Sequence, residues 1–153
     1  LSHIEEKDGS NITYLKEFNM YFDSTLAGPS PIEKLDAIFG GLDSSSSYSY
    51  DGWSSFKLYH SDICNNAAWT VVLKPQNSNF IKEAIKWSEY SLIVTKNNPY
   101  YLDTLAQLYY KDGQKDKAIA TQTLAVKYLN PNVEEEMVRE IKDVLTKMQN
   151  GTY

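Results

Sequence analysis

A chain of 153 residues with 42% apolar and 23% charged side chains has the make-up of one folded domain, not of a disordered or fibrous chain. Its net charge of −5 argues against nucleic acid as a partner, and no apolar run approaches the ~20 residues of a membrane-crossing helix. A single cysteine, Cys64, excludes an internal disulfide, a CxxC pair and a cysteine zinc site. The two histidines, His3 and His60, are too few for a histidine-rich metal site, and no cofactor or metal is expected. The chain opens on Leu1 and not on Met, so the expectation is a processed protein or a piece of a longer one.

Ile12, Leu15, Phe18, Tyr21 and Phe22 recur at three- and four-residue spacing, the period of one helix face. Ser30 offers an N-cap and Pro31 the first position of a second helix, striped by Ile32, Leu35, Ile38 and Phe39 and stopped at Gly40–Gly41. Residues 43–52, DSSSSYSYDG, form a low-complexity serine-rich stretch that predicts a loop. Ser61 or Asp62 can cap a third helix carrying Ile63, Ala67, Ala68, Val71 and Val72, which ends before Pro75. Ser78 can cap a fourth, with Phe80, Ile81, Ala84, Ile85, Ser88, Ser91 and Leu92 on its face.

Asn98–Pro99 opens a fifth helix, with Leu102, Leu105, Ala106 and Tyr109 on one side. Asp112–Gly113 turns tightly into a sixth, marked by Ala118, Ile119, Gln122, Ala125 and Val126. Asn130–Pro131 opens a seventh, striped by Val133, Met137, Ile141, Val144, Leu145 and Met148, with Asn150–Gly151 beyond its end. The β-branched runs Thr70–Leu73 and Leu92–Thr95 are too short to rival these patterns. The expected fold is all-α with about seven helices, residues 1–60 packing on residues 61–153 as one globular unit.

Small residues recur at fixed offsets in the second half. Ala84 and Ala118 are 34 residues apart, as are Ser91 and Ala125, and the Asn-Pro pairs are 32 apart. Two helices approach closely only where side chains are small, so such positions mark helix crossings. The segment Leu102 to Pro131 resembles the tetratricopeptide repeat: Ala106 and Tyr109 in the first helix, Gly113 at the turn, Ala118 and Ala125 in the second helix, Pro131 near the end. Leu102 stands where that repeat often has Trp, and Gln122 where it usually has a large apolar residue. The preceding unit, with Ala68, Ala84 and Ser91, fits more loosely. The resemblance implies a short right-handed solenoid of two hairpins and a capping helix.

Residues 65–128 carry a further resemblance, in Asn65-Asn66-Ala67-Ala68-Trp69, Ala84-Ile85-Lys86-Trp87-Ser88 and Asp103-Thr104-Leu105-Ala106-Gln107-Leu108-Tyr109. This pattern is similar to the C-terminal helical region of a family of bacterial thioredoxin-domain proteins. It implies a non-catalytic accessory module, in the periplasm or cell envelope, that docks a protein or peptide. A peptide- or small-ligand-binding protein of the envelope, with a pocket lined by Trp53, Trp69 and tyrosines, is the alternative.

In the repeat, positions two, five, nine and twelve of the first helix line the concave groove. They fall here on Asp62, Asn65, Trp69 and Val72, and on Tyr100, Asp103, Gln107 and Tyr110. Asn65, Trp69, Asp103, Gln107 and Tyr110 are therefore the candidate partner-binding residues, with the serine-rich loop as a movable cover. The competing expectation is that the N-terminal helices fold across this groove and make Trp69 and Tyr110 core.

A thiol enzyme is the third possibility. His60 and Cys64 lie four apart, on one helix face, and an imidazolium lowers the pKa of a nearby thiol. No oxyanion donor or orienting partner accompanies them, and a buried cysteine beside an unrelated histidine is the simpler reading. Glu134–Glu136 reads as a solvated helix start, and Asp43 to Asp51 lacks the alternating oxygen ligands and glycine of a calcium loop.

Overall fold

The computed structural model describes residues 5–42 and 50–153, and every regular element among them is helical. The seven helices are α1 (Ile12–Tyr21), α2 (Pro31–Leu42), α3 (Tyr50–Leu73), α4 (Ile81–Val94), α5 (Pro99–Lys111), α6 (Lys115–Lys127) and α7 (Glu135–Asn150). The all-α expectation holds. A π-helical turn (Phe22–Leu26) extends α1, and a 3-10 turn (Pro75–Phe80) precedes α4. No helix of the described residues is long and apolar enough to cross a membrane.

Several expected boundaries move. α3 begins at Tyr50, so residues 50–52 of the expected loop are its first turn, while 43–49 lie outside the described residues. Ser61 and Asp62 are not caps: the Ser61 hydroxyl bonds the Thr95 hydroxyl at 2.7 Å, and Asp62 accepts from the Tyr101 hydroxyl. The extra turns of α3 are held by rings, Phe56 and Trp53 lying 5.0 and 5.5 Å from Phe39.

Ser78 lies within the 3-10 turn that Pro75 starts, and the α-helix follows at Ile81. Asn130–Pro131 makes a turn instead of opening α7. The Asn130 side chain accepts from Asn132 N at 3.0 Å and its carbonyl from Val133 N, and the helix starts at Glu135. Gly40–Gly41 lies inside α2.

Asn98 caps α5 as expected, its side chain accepting from Tyr100 N and Tyr101 N. At the α5–α6 turn Gly113 takes φ +85°, a left-handed conformation that a side chain would strain. From α3 to α7 each helix packs on its neighbours in chain order, and α3 also touches α5. Ala68, Ala84, Ser91, Ala106, Ala118 and Ala125 are all fully buried, as close helix crossings require. α5 is enclosed without interruption from Tyr101 through Tyr109.

The N-terminal segment packs on the first hairpin. Phe18 meets Trp87 edge to face at 5.0 Å, and Phe22 meets Tyr90 at 5.5 Å. One apolar cluster joins Leu15, Phe18 and Leu35 with Cys64, Ala67, Trp87, Ala106 and Ala118.

Candidate functional site

Three helices, α3, α5 and α7, line a partly open cleft of about 450 Å³. α3 supplies Asn65 and Trp69, α5 supplies Tyr100, Asp103, Thr104 and Gln107, and α7 supplies Met137, Glu140, Asp143, Val144 and Lys147. Within each helix these residues stand at three- and four-residue steps, which places them on one face. Four of the five candidate residues, Asn65, Trp69, Asp103 and Gln107, thus line one site.

Tyr110 does not join them. Its ring lies edge-on to Tyr153 at 4.9 Å, and the Tyr153 hydroxyl donates to Gln107 Oε1 at 2.6 Å. The C-terminal tyrosine therefore covers the end of the groove where Tyr110 was expected to be available. Its own hydroxyl is pushed up to about 12, by burial first and then by Asp103.

The floor is a buried carboxylate held by amides. Asp103 is 5% exposed; one oxygen accepts from Gln107 Nε2 at 3.1 Å and the other from Gln122 Nε2 at 2.8 Å. Gln122 Nε2 also donates to the Ile141 carbonyl at 2.9 Å, tying α7 to α6. Burial raises the Asp103 pKa above its ordinary 3.8; the two amide bonds oppose this and Glu140 adds to it. The fully buried Gln122, which departs from the repeat pattern, is explained: an apolar residue there would leave a buried carboxylate short of a donor.

The walls differ. Trp69 is partly exposed and Tyr100 is 37% exposed. Asn65 Oδ1 is buried and accepts no hydrogen bond. On α7, Glu140, Asp143 and Lys147 are exposed, with Lys147 paired to Asp143 at 3.0 Å.

The cleft lining contains no residue from the N-terminal helices. Trp69 and Tyr110, which the competing expectation made core, are partly buried and pack against the main apolar cluster, while Asp103 and Gln107 are buried beneath Gln122, Tyr153 and α7. Trp53 packs with Phe39 and Phe56 and is not among the residues lining the cleft that Trp69 lines.

The part of the site that sequence reasoning missed is α7, read only as a cap. Its Met137, Glu140, Val144 and Lys147 recur on one face beside the Ile141–Met148 stripe, a signal that was available. Tyr153 carried no periodic signal at all.

Cys64 is fully buried and burial drives its thiol pKa well up, the opposite of thiolate activation. His60 bonds elsewhere: Nδ1 donates to the Phe56 carbonyl at 2.9 Å, which leaves Nε2 to accept from the Tyr21 hydroxyl at 3.4 Å. Among the described residues no three His, Cys, Asp or Glu side chains are grouped as a metal site.

Comparison of the chain with protein-family models, with curated proteins and with solved structures returned no match.

Proposed function

We propose that the chain is a non-catalytic helical-repeat module that docks an extended peptide segment of a partner protein in the cleft between α3, α5 and α7. One observation carries this reading. Asn65 and Asp103, like Trp69 and Gln107, stand 38 residues apart at equivalent positions of successive hairpins, and all four line the same cleft. First helices of stacked hairpins share one concave face in a right-handed solenoid of tetratricopeptide type, and α7 takes the place of the capping helix. Aromatic rings beside amides suit an extended backbone, which needs both stacking area and hydrogen-bond partners.

The accessory part of a bacterial thioredoxin-like protein, in the periplasm or envelope, is the setting that the sequence resemblance implies, and it belongs to the same proposal. A small-ligand role is the second reading, favoured by a cleft volume of about 450 Å³, within the ~300–1,000 Å³ of ligand sites. Use of Cys64 in catalysis is disfavoured by its enclosure.

Panning a random peptide library against the chain tests the proposal. Selected peptides should lose about tenfold or more in affinity on Trp69→Ala, equivalent to ~1.4 kcal/mol. Ile93→Ala, an exposed apolar residue on α4, should leave binding unchanged. Binders insensitive to Trp69→Ala, or a library that yields none, would refute it.

A further inference from the structure

The cleft is chemically one-sided. Among the described residues, Asp103, Glu140 and Asp143 line it against a single cation, Lys147, which is already paired with Asp143 at 3.0 Å. Among the described residues Glu140 takes part in no salt bridge. Asn65, on the same wall, has a side-chain oxygen that accepts no hydrogen bond and is closed to solvent, so a donor in the cleft reaches it once the amide turns outward. Trp69 and Tyr100 present partly exposed rings in the same cleft, and ring faces attract cations.

One kind of group answers all three features. A guanidinium carries five N–H donors and a positive charge on a flat surface that stacks on aromatic rings. Its fork matches a carboxylate, and its apolar stem can lie along Met137 and Val144. An acidic segment would meet like charge, and an apolar one would leave the Asn65 oxygen and the carboxylates desolvated without a partner.

We propose that the cleft selects a basic peptide, receiving an arginine side chain with its guanidinium among Glu140, Asp143 and Asn65 and its stem against Trp69. This rests on the docking reading above and names its specificity. Lysine, a point charge without the fork, should fit less well.

The test is an NMR titration of the full chain with acetylated, amidated pentapeptides, Gly-Gly-Xaa-Gly-Gly, where Xaa is arginine, lysine, citrulline or glutamate. Citrulline keeps the shape of arginine without its charge. The arginine peptide should shift the Trp69 indole and Asn65 side-chain signals, the lysine peptide less, and the citrulline and glutamate peptides not at all. The double change Glu140→Lys and Asp143→Lys, at two exposed positions, should weaken the arginine peptide about tenfold at low salt. That loss should shrink at ~1 M salt, where charges are screened within ~3 Å. Glu140→Gln should give a smaller loss in the same direction.

Citrulline or glutamate binding as well as arginine would overturn the inference, as would an arginine peptide that moves neither signal. Agmatine binding as tightly as the arginine peptide would make the occupant a small amine and overturn the peptide assignment. Library binders that need Trp69 but carry no basic residue would leave the docking reading standing while removing this one.

Discussion

Asn77 fixes where the N-terminal segment sits, and its removal should be costly. It lies fully buried in the 3-10 turn; Oδ1 accepts from Asn11 N at 2.9 Å, and Nδ2 donates to Asn11 Oδ1 and to the Thr70 carbonyl, both at 3.3 Å. Asn77→Ala takes the acceptor from the Asn11 N–H, itself in a residue only 4% exposed. Stranding a buried donor costs ~1–3 kcal/mol, and each remaining bond contributes ~0.5–1.5 kcal/mol. The expected loss is about 3 kcal/mol, a fall in Tm of roughly 6–12 °C for a chain of this size.

Urea unfolding should be followed by far-UV circular dichroism and by tryptophan emission, because Trp87 lies against Phe18 and reports on that segment. Asn77→Asp keeps the acceptor for Asn11 N but turns the donor into an oxygen aimed at two other oxygens. It should be at least as damaging as alanine at neutral pH and should recover in part in acid, where its carboxyl can donate. A loss below about 1 kcal/mol for alanine, or a neutral aspartate variant, would refute the reasoning.

Ala106 and Ala118 are fully buried in the common core, so Ala106→Leu or Ala118→Leu should each destabilise by ~1–3 kcal/mol in the same urea assay through overpacking. Neutrality at both positions would mean that neither stands at a helix crossing. Asp103 gives a pH signature. Burial raises its folded pKa above the ordinary 3.8, so the folded state holds the proton more tightly. Its contribution to stability is then greatest below the ordinary value and is lost as pH rises through the raised one. Relative to Asp103→Asn, the wild-type chain should lose Tm as pH rises from about 3 to about 8; a constant difference would show that Asp103 titrates as an ordinary carboxylate.

The second half of the fold was legible because its signals were local. Asn98–Pro99 fixes the start of α5 by side-chain capping, and Gly113 fixes a turn that only glycine adopts without strain. The alanines at 34-residue offset marked crossings that are fully buried. Boundaries failed where a polar side chain had a distant partner. Ser61 looks like a cap until Thr95 claims its hydroxyl, and Asp62 until Tyr101 reaches it.

The candidate site divides along the same line. Asn65, Trp69, Asp103 and Gln107 follow from repeat spacing, a property of the chain alone. The loss of Tyr110 to Tyr153, and the reason for a buried glutamine at 122, depend on contacts made only in the folded chain. Gln122 was visible as an anomaly, and the explanation required knowing that Asp103 lies beneath it.

The continuous enclosure of α5 has a consequence for motion. A helix buried from Tyr101 to Tyr109 exposes its amides only when the whole domain opens, so they belong to its most slowly exchanging set. α7 is different: Ile141 and Met148 are its only buried residues, and its outer face is wet. Its amides should exchange at smaller free energy than those of α5, since the Gln122 bond to the Ile141 carbonyl and a narrow apolar stripe hold it. The two walls of the cleft should therefore differ in amide exchange, slow on α5 and faster on α7. For the occupant proposed above, Asp103 and Gln107 on α5 would set the register, and Met137 to Lys147 on α7 would adapt to side chains of different size.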